Sequence, residues 1–261
     1  MQITEETLTV AGCRVPVRRK GAGAPLLFMH GAADGGVWLP VLDRLADTCE
    51  VIAPEHPGFG QADTPDWLDG IGDLAFFYLE FVRELGVGPV HVVGASIGGW
   101  IAAEMAVREP PALASMTLSA PAGIAVKGAP KGDLFLWSPE ETQRRLFSDP
   151  AVAEAMPQAE GDPMLVQMKN REATARLGWN PRLHNPDLRK WLHRARVPTL
   201  IVWGADDQLL PPVEGEAFRD LIPGARLEVL AGCGHLPHVE RADAFADLTL
   251  AHLAGAQPVA A

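Results

Sequence analysis

The chain has 261 residues, of which 48% are hydrophobic and 21% charged, an ordinary mixture for a globular protein that buries a core. Its formal net charge of −11 argues against nucleic acid and anionic membranes as partners, because neither gains from a negative surface. The three cysteines, Cys13, Cys49 and Cys233, are widely spaced and match no metal-ligand pattern, so no metal site is predicted.

The sequence also gives no indication of membrane targeting. The first six residues lack an apolar run, and no apolar stretch reaches the roughly 18 residues that a membrane helix needs. We therefore expect a cytoplasmic protein with reduced thiols, built as one large domain, and a homodimer is left open. The tail from Ala254 to Ala261 is predicted to be disordered.

Strands and helices alternate along most of the chain. Two early strands joined by Ala11-Gly12 predict an edge hairpin, and from residue 25 the alternation predicts parallel crossover units. A helix near 72–86 is predicted from apolar residues at helical spacing. The predicted strands lie near residues 5–10, 13–19, 25–29, 50–54, 90–94, 114–119, 199–203 and 226–230.

The most informative motif is the serine in Gly94-Ala95-Ser96-Ile97-Gly98, which lies between a buried strand and a helix without breakers. Glycines at this junction let the strand and the helix approach closely, so the Ser96 hydroxyl can stand exposed on a strained turn. The same turn directs the Ile97 N–H and the helix N-terminus to one point, where an anion can be held. The motif predicts a nucleophile elbow.

Residues 122–195 break the alternation and predict a helical insert. Ser138, Asp149 and Asp162 each precede a proline, which is typical of a capped helix start, and Gly178 is a plausible helix stop. Tryptophans and methionines are concentrated in this insert, and together they suggest the roof of an apolar pocket. They are Trp137, Met156, Met164, Met168, Trp179 and Trp191.

Two polar residues follow later strands, where ligand sites of open parallel sheets gather. Either Asp206 or Asp207 follows the strand 199–203, and His235 follows the strand 226–230. A nucleophilic serine needs a base and an acid that orients the base, and the chain supplies them in the order nucleophile, acid, histidine. His238 competes with His235, but it lies where the next helix is expected to begin.

In these motifs the chain resembles the α/β-hydrolase fold family over roughly residues 5 to 255. Further motifs that carry the resemblance are the His30-Gly31 pair, the turn 55–60 and the histidine loop 234–240. The resemblance implies an α/β fold with a mostly parallel, doubly wound eight-stranded sheet and a helical cap. It implies a core of residues 1–121 and 196–261, with the cap at 122–195.

The resemblance also implies the roles of the site residues. It favours Asp207 as the acid, so that Ser96, Asp207 and His235 form a catalytic triad, and it gives His30 a role in shaping the oxyanion loop. The backbone N–H groups of Ala32 and Ile97 are expected to bind the oxyanion. No metal or organic cofactor is required.

The substrate expected from these residues is a small to medium apolar carboxylic ester or ketone. Substrate contacts are predicted for Trp137, Met164, Met168 and Leu236, while Arg171 or Arg176 could reach in from the cap. Because serine is the nucleophile, the haloalkane dehalogenase and epoxide hydrolase branches, which place aspartate there, are disfavoured.

Several activities remain open within and beyond the family. The stretches 179–181 and 197–200 look like the branch that cleaves carbon–carbon bonds of meta-cleavage products, but that branch usually carries asparagine and tryptophan where this chain has Ala95 and Leu236. Perhydrolases and haloperoxidases use the same triad. A ligand receptor of the hydrolase fold, with little turnover, is the alternative from another functional class.

Overall fold

The protein is described here by a computed structural model covering residues 2–159 and 161–256. Within these residues, eight strands close to the predicted ones are found. They are β1 (Thr4–Val10), β2 (Cys13–Lys20), β3 (Ala24–Met29), β4 (Cys49–Pro54), β5 (Val90–Ala95), β6 (Leu113–Ser119), β7 (Thr199–Gly204) and β8 (Arg226–Leu230).

The strands form one sheet in the order β1-β2-β4-β3-β5-β6-β7-β8. The pairs β1–β2 and β2–β4 are antiparallel, and every pair from β4 onward is parallel. The predicted edge hairpin and parallel crossover units are therefore confirmed. Strand β7 is buried along its whole length, as expected of an apolar strand covered on both faces.

Helices cover both faces of the sheet and fill the region between β6 and β7. They are α1 (Pro40–Ala46), α2 (Ile71–Leu85), α3 (Ile97–Arg108), α4 (Pro139–Leu146), α5 (Pro150–Glu154), α6 (Pro163–Gly178), α7 (Leu188–Trp191), α8 (Val213–Leu221), α9 (Pro237–Glu240) and α10 (Ala242–Gly255). Apolar residues of α2, α3 and α8 share one core cluster, and those of α1 and α10 share another. The sheet is thus doubly wound.

Three helices of the insert begin where their caps predict. The Ser138 hydroxyl accepts a hydrogen bond from the Glu141 N–H at 3.1 Å, and the carboxylates of Asp149 and Asp162 cap α5 and α6 in the same way. Each cap satisfies a backbone donor that has no acceptor within its helix. The predicted helical insert is confirmed.

The predicted disorder of the tail is wrong for its first residues, because α10 continues through Ala254 to Gly255. Residues 257–261 lie outside the described residues. Among the helices that are described, none is both long and apolar enough to cross a membrane.

Candidate active site

Ser96 stands between β5 and α3 with φ 50° and ψ −109°, a strained conformation for a residue with a side chain. Strand and helix meet closely here, since a methyl group at Gly94 would lie 2.6 Å from the Gly98 carbonyl oxygen. A methyl group at Gly98 would collide with the Met29 backbone. Both glycines are therefore needed for the predicted elbow geometry.

A continuous hydrogen-bonded chain links Ser96, His235 and Asp207. The Ser96 hydroxyl donates to His235 Nε2 at 3.0 Å, and His235 Nδ1–H donates to Asp207 Oδ2 at 2.8 Å. Because a carboxylate can only accept, it fixes the tautomer that leaves Nε2 free to take a proton. All three residues are buried, so the sheet edge brings together the three residues that the sequence singles out.

The loop after β7 separates the two neighbouring aspartates. Asp207 Oδ1 accepts hydrogen bonds from the N–H groups of Leu209 and Leu210, at 2.8 and 2.9 Å, which leaves Oδ2 directed at His235. Asp206 instead lies 3.4 Å from the Ser148 hydroxyl of the insert. Only Asp207 can therefore orient the histidine.

Two backbone donors lie beside Ser96. Ile97 is the first residue of α3, so its N–H has no acceptor within the helix and lies at the positive end of the helix dipole. Ala32 lines the same cavity as Ser96, and its N–H makes no hydrogen bond within the described residues. Both N–H groups are available to an anion.

His30 lies behind this loop, stacked on His56 at 3.7 Å between ring centroids. His30 Nδ1–H donates to the Gly31 carbonyl, and Nε2 accepts from the His56 N–H. Burial lowers the pKa of both histidines, so both are neutral and serve as fixed hydrogen-bonding groups that shape the loop.

A cavity of about 800 Å³ has Ser96 and His235 in its wall. Of the predicted substrate contacts, Met164 and Leu236 line it, and Arg171 also reaches it. Trp137 and Met168 do not: Trp137 is buried beside Gly132 and Arg145, and Met168 is 62% exposed to solvent. For those two residues the structure corrects the expected position, because apolar composition alone does not show which side chains of the insert meet the cavity.

The cavity is more polar than the tryptophan and methionine content of the insert indicates. Its wall includes the side chains of Gln143, Gln167 and Asn170 together with apolar residues such as Val37, Leu134, Phe135 and Phe147. The sequence carries no signal for these amides, since an isolated Gln or Asn in a helix is usually an exposed residue.

The sequence analysis missed two of the junctions that attach the insert to the sheet edge. Asn170 of α6 accepts a hydrogen bond from the Gly60 N–H at 2.8 Å and donates to the Gly35 carbonyl at 3.3 Å. At the second junction, Glu240 accepts from the N–H groups of Gly234 and Ser148, at 2.8 and 2.7 Å.

The second junction reaches the histidine itself, because the His235 N–H donates to the Leu146 carbonyl at 2.8 Å. Glu240 lies within the histidine loop that the sequence analysis recognised, six residues after Gly234. A carboxylate at the end of this loop is the signal that could have indicated the junction, since a carboxylate that the fold buries must be paired.

The structure gives no sign of a metal centre or of a reactive thiol in the parts of the chain that it describes. No group of three or more metal-ligating side chains is found there. The thiols are buried, and burial raises the pKa of Cys13 to about 11 and that of Cys233 to about 12, so neither is a thiolate at neutral pH.

Comparison with known proteins identifies the family to which the fold of this chain corresponds. A family model described as alpha/beta hydrolase fold matches residues 24–242. Among solved structures, a serine hydrolase involved in carbazole degradation aligns with a TM-score of 0.81 at 24% identity, over 97% of this chain and 99% of that one. At this identity the likeness concerns the fold alone.

Curated proteins are also similar over most of this chain. The dihydrolipoyllysine-residue acetyltransferase component of the acetoin cleaving system of Cupriavidus necator is 34% identical over 262 residues, which cover 94% of this chain and 68% of that protein. The 2-hydroxymuconate semialdehyde hydrolase of a Pseudomonas species is 28% identical over 280 residues, which cover 97% of this chain and 95% of that protein.

Proposed function

Because the chain belongs to the α/β hydrolase fold family, we propose that it is a serine hydrolase that cleaves a carboxylic ester through an acyl-enzyme intermediate. The observation that carries the proposal is the hydrogen-bonded chain from Ser96 through His235 to Asp207. Its distances and its tautomer are those that a serine nucleophile needs.

In the first half of the reaction, His235 Nε2 takes the Ser96 proton as Oγ attacks the ester carbonyl. The imidazolium that forms is stabilised by the Asp207 carboxylate, and its proton then passes to the leaving alcohol. In the second half, the same nitrogen takes a proton from water as the water attacks the acyl-enzyme, and it returns that proton to the Ser96 oxygen as the acid is released.

The oxyanion of each tetrahedral intermediate is assigned to the backbone N–H groups of Ala32 and Ile97. Loss of one such donor costs about 10²–10³-fold in turnover in other serine hydrolases, because the donors act where charge develops. The unengaged Ala32 N–H and the N-terminal position of Ile97 support this assignment.

For the substrate we propose a short to medium apolar acyl or aryl ester. A cavity of about 800 Å³ holds such a molecule, and Met164 and Leu236 supply apolar contacts. Residues 122–195 act as the cap, since α4 and α6 contribute residues to the cavity wall. Each buried methylene contributes about 0.8 kcal/mol until the cavity is full, so long-chain triglycerides are expected to be poor substrates.

A carbon–carbon bond hydrolase of meta-cleavage products is the second candidate. The similarity to the Pseudomonas 2-hydroxymuconate semialdehyde hydrolase favours it. The apolar side chains of Ala95 and Leu236 beside the triad favour the ester, because they offer no polar group to a dienolic substrate. A homodimer and a cytoplasmic location stay predictions.

The test compares the wild-type protein with Ser96→Ala on p-nitrophenyl esters of graded acyl length and on a dienolic ring-cleavage product. Ser96→Ala is expected to lower ester turnover by more than about 10³-fold, since it removes the nucleophile, while circular dichroism stays unchanged. Substantial activity in a folded Ser96→Ala variant would refute the assignment of Ser96 as the nucleophile.

The substrate panel decides among the candidate functions. Activity confined to the dienolic compound would show that the protein cleaves a carbon–carbon bond and not an ester. One slow turnover with a large rise in melting temperature would identify a binding protein instead.

A further inference from the structure

A second buried chain of serine, histidine and aspartate lies behind the triad. His238 Nε2 is 3.2 Å from Asp34 Oδ2, and His238 Nδ1 is 3.0 Å from the Ser119 hydroxyl. Each of the three residues is at most 1% exposed, so no substrate reaches them. Their role must be exerted through the groups that they contact.

At one end, Asp34 fixes the loop that carries Ala32. Asp34 Oδ1 accepts a hydrogen bond from the Gly31 N–H at 2.7 Å. Gly31 also borders the nucleophile, because a methyl group at Gly31 would lie 3.4 Å from Ser96 Cβ. Asp34 therefore sets the direction of the backbone immediately before the Ala32 N–H.

At the other end, His238 reaches the elbow through Ser119. The Ser119 carbonyl at the end of β6 accepts the Ser96 N–H at 2.9 Å, while the Ser119 hydroxyl contacts His238. The His238 ring contacts those of Phe28 and Phe245, with centroids 6.2 and 6.1 Å away. Packing of this kind restricts the ring to one orientation.

The protons of this chain follow from its partners. Burial acts to raise the pKa of Asp34, but the hydrogen bonds from His238 and from the Gly31 N–H hold it below its ordinary value. The carboxylate is therefore an acceptor, so Nε2–H of His238 donates to it and Nδ1 accepts from the Ser119 hydroxyl.

We infer that Asp34 and His238 are a positioning pair that holds the Ala32 donor in register with Ser96 and His235 for oxyanion binding. His238 connects the oxyanion loop, the end of β6 and the histidine loop, on which it lies three residues after His235. The inference rests on the proposed hydrolase activity. It assigns to His238 a role distinct from that of the proton-transferring His235.

A positioning role and a purely structural role predict different kinetics. Oxyanion contacts form in the transition state, so misplacing Ala32 lowers kcat and leaves KM nearly unchanged. General destabilisation lowers the melting temperature and the active fraction, but it does not alter kcat per active site.

The experiment measures kcat and KM for p-nitrophenyl butyrate in the wild type, in His238→Ala, His238→Gln and Asp34→Ala, and in the double alanine variant, with active sites titrated by a fluorophosphonate. The matched control is His252→Ala, another buried histidine, whose Nε2 lies 3.2 Å from the Pro198 carbonyl oxygen. A trifluoromethyl ketone inhibitor, whose adduct with serine carries an oxyanion, reports on the oxyanion site directly.

We expect His238→Ala and Asp34→Ala each to lower kcat about 10–100-fold, less than removal of a donor itself, with KM changed under about threefold. Affinity for the trifluoromethyl ketone falls by a similar factor. The amide nitrogen of His238→Gln can replace Nε2–H and restores most of the activity, and the double alanine variant is no worse than either single one.

Each other outcome overturns the inference in a recognisable way. If both alanine variants match His252→Ala in kcat per active site, or if KM alone rises, the pair does not position the oxyanion site. If His238→Ala does not fold, Asp34→Ala gives the same decision. A wild type that neither hydrolyses esters nor reacts with fluorophosphonate overturns the proposed function, and the inference with it.

Discussion

The loops at the carboxyl edge of the sheet and the helices of the cap are built on opposite principles. At the edge, polar side chains such as Asp34, Asp207 and His235 are buried, and each is held by hydrogen bonds. In the cap, large apolar side chains remain in solvent. Leu136, Met164, Leu165 and Met168 are between 62% and 73% exposed.

This difference in burial leads us to expect that the edge determines the rate of the reaction and that the cap determines the choice of substrate. A buried polar group left without a partner costs about 1–3 kcal/mol, so each group at the edge has one strongly preferred position. The first turns of the helices in the cap are stabilised by hydrogen bonds to their own N-terminal residues. These helices join the edge at junctions such as those of Asn170 and Glu240. Changes at the edge should therefore affect turnover, and changes in the cap should affect substrate choice.

The largest expected effect tests the edge. Asp207→Asn should lower kcat about 10⁴-fold, because an amide cannot stabilise the imidazolium and favours the wrong tautomer. Asp206→Asn is its matched control and should keep most of the activity, since the Asp206 carboxylate lies 3.4 Å from the Ser148 hydroxyl and is not directed at His235. Initial rates on p-nitrophenyl butyrate check both. A more damaging Asp206→Asn would show that the acid has been misassigned by one residue.

A smaller effect is expected where the two regions meet. Glu240→Gln replaces one carboxylate oxygen by an amide nitrogen that cannot accept from Gly234 or Ser148. The free energy of unfolding should fall by about 2 kcal/mol, the usual contribution of a hydrogen bond to a charged group, and kcat should fall with it because His235 shares the junction.

Urea unfolding and initial rates measure the effect of Glu240→Gln. Glu84→Gln, on the exposed face of α2, is the control and should stay within about 0.5 kcal/mol of the wild type. Unchanged stability and turnover in Glu240→Gln would mean that the cap is attached independently of the histidine loop.

The sequence was sufficient for the sheet and for the residues at its edge. Apolar strands between turn signals have a local pattern, and the fold places every residue that follows a parallel strand at the same edge, so Ser96, His235 and the loop of Asp207 could be predicted. The confirmed family and α/β-hydrolase fold follow from those motifs.

Contacts between distant segments could not be predicted in the same way. Trp137, Met164 and Met168 are all large apolar residues of the insert. Only Met164 of the three lines the cavity, because tertiary packing selects which side chains of each segment meet it. Asp34 and His238 are 204 residues apart, and nothing in either local sequence identifies the other as its partner.

The smallest effect concerns pH. Burial lowers the pKa of His30 and His56, so the unfolded chain binds protons more readily than the folded one below the ordinary histidine pKa of 6.5. Above pH 6.5 these two histidines therefore do not lower the free energy of unfolding, and below it they lower that free energy as the pH drops. Each histidine contributes at most about 1.4 kcal/mol of loss between pH 6.5 and 5.5.

Comparison of variants isolates this contribution from other titrating groups. The pKa of His91 and His252 is also lowered by burial, and that of Glu214 is raised by burial, so the total slope contains terms of both signs. His56→Gln should remove about 1 kcal/mol of the pH dependence measured by urea unfolding at pH 7 and 5.5, whatever its own stability. A slope in His56→Gln equal to that of the wild type would show that the buried histidine pair does not resist protonation.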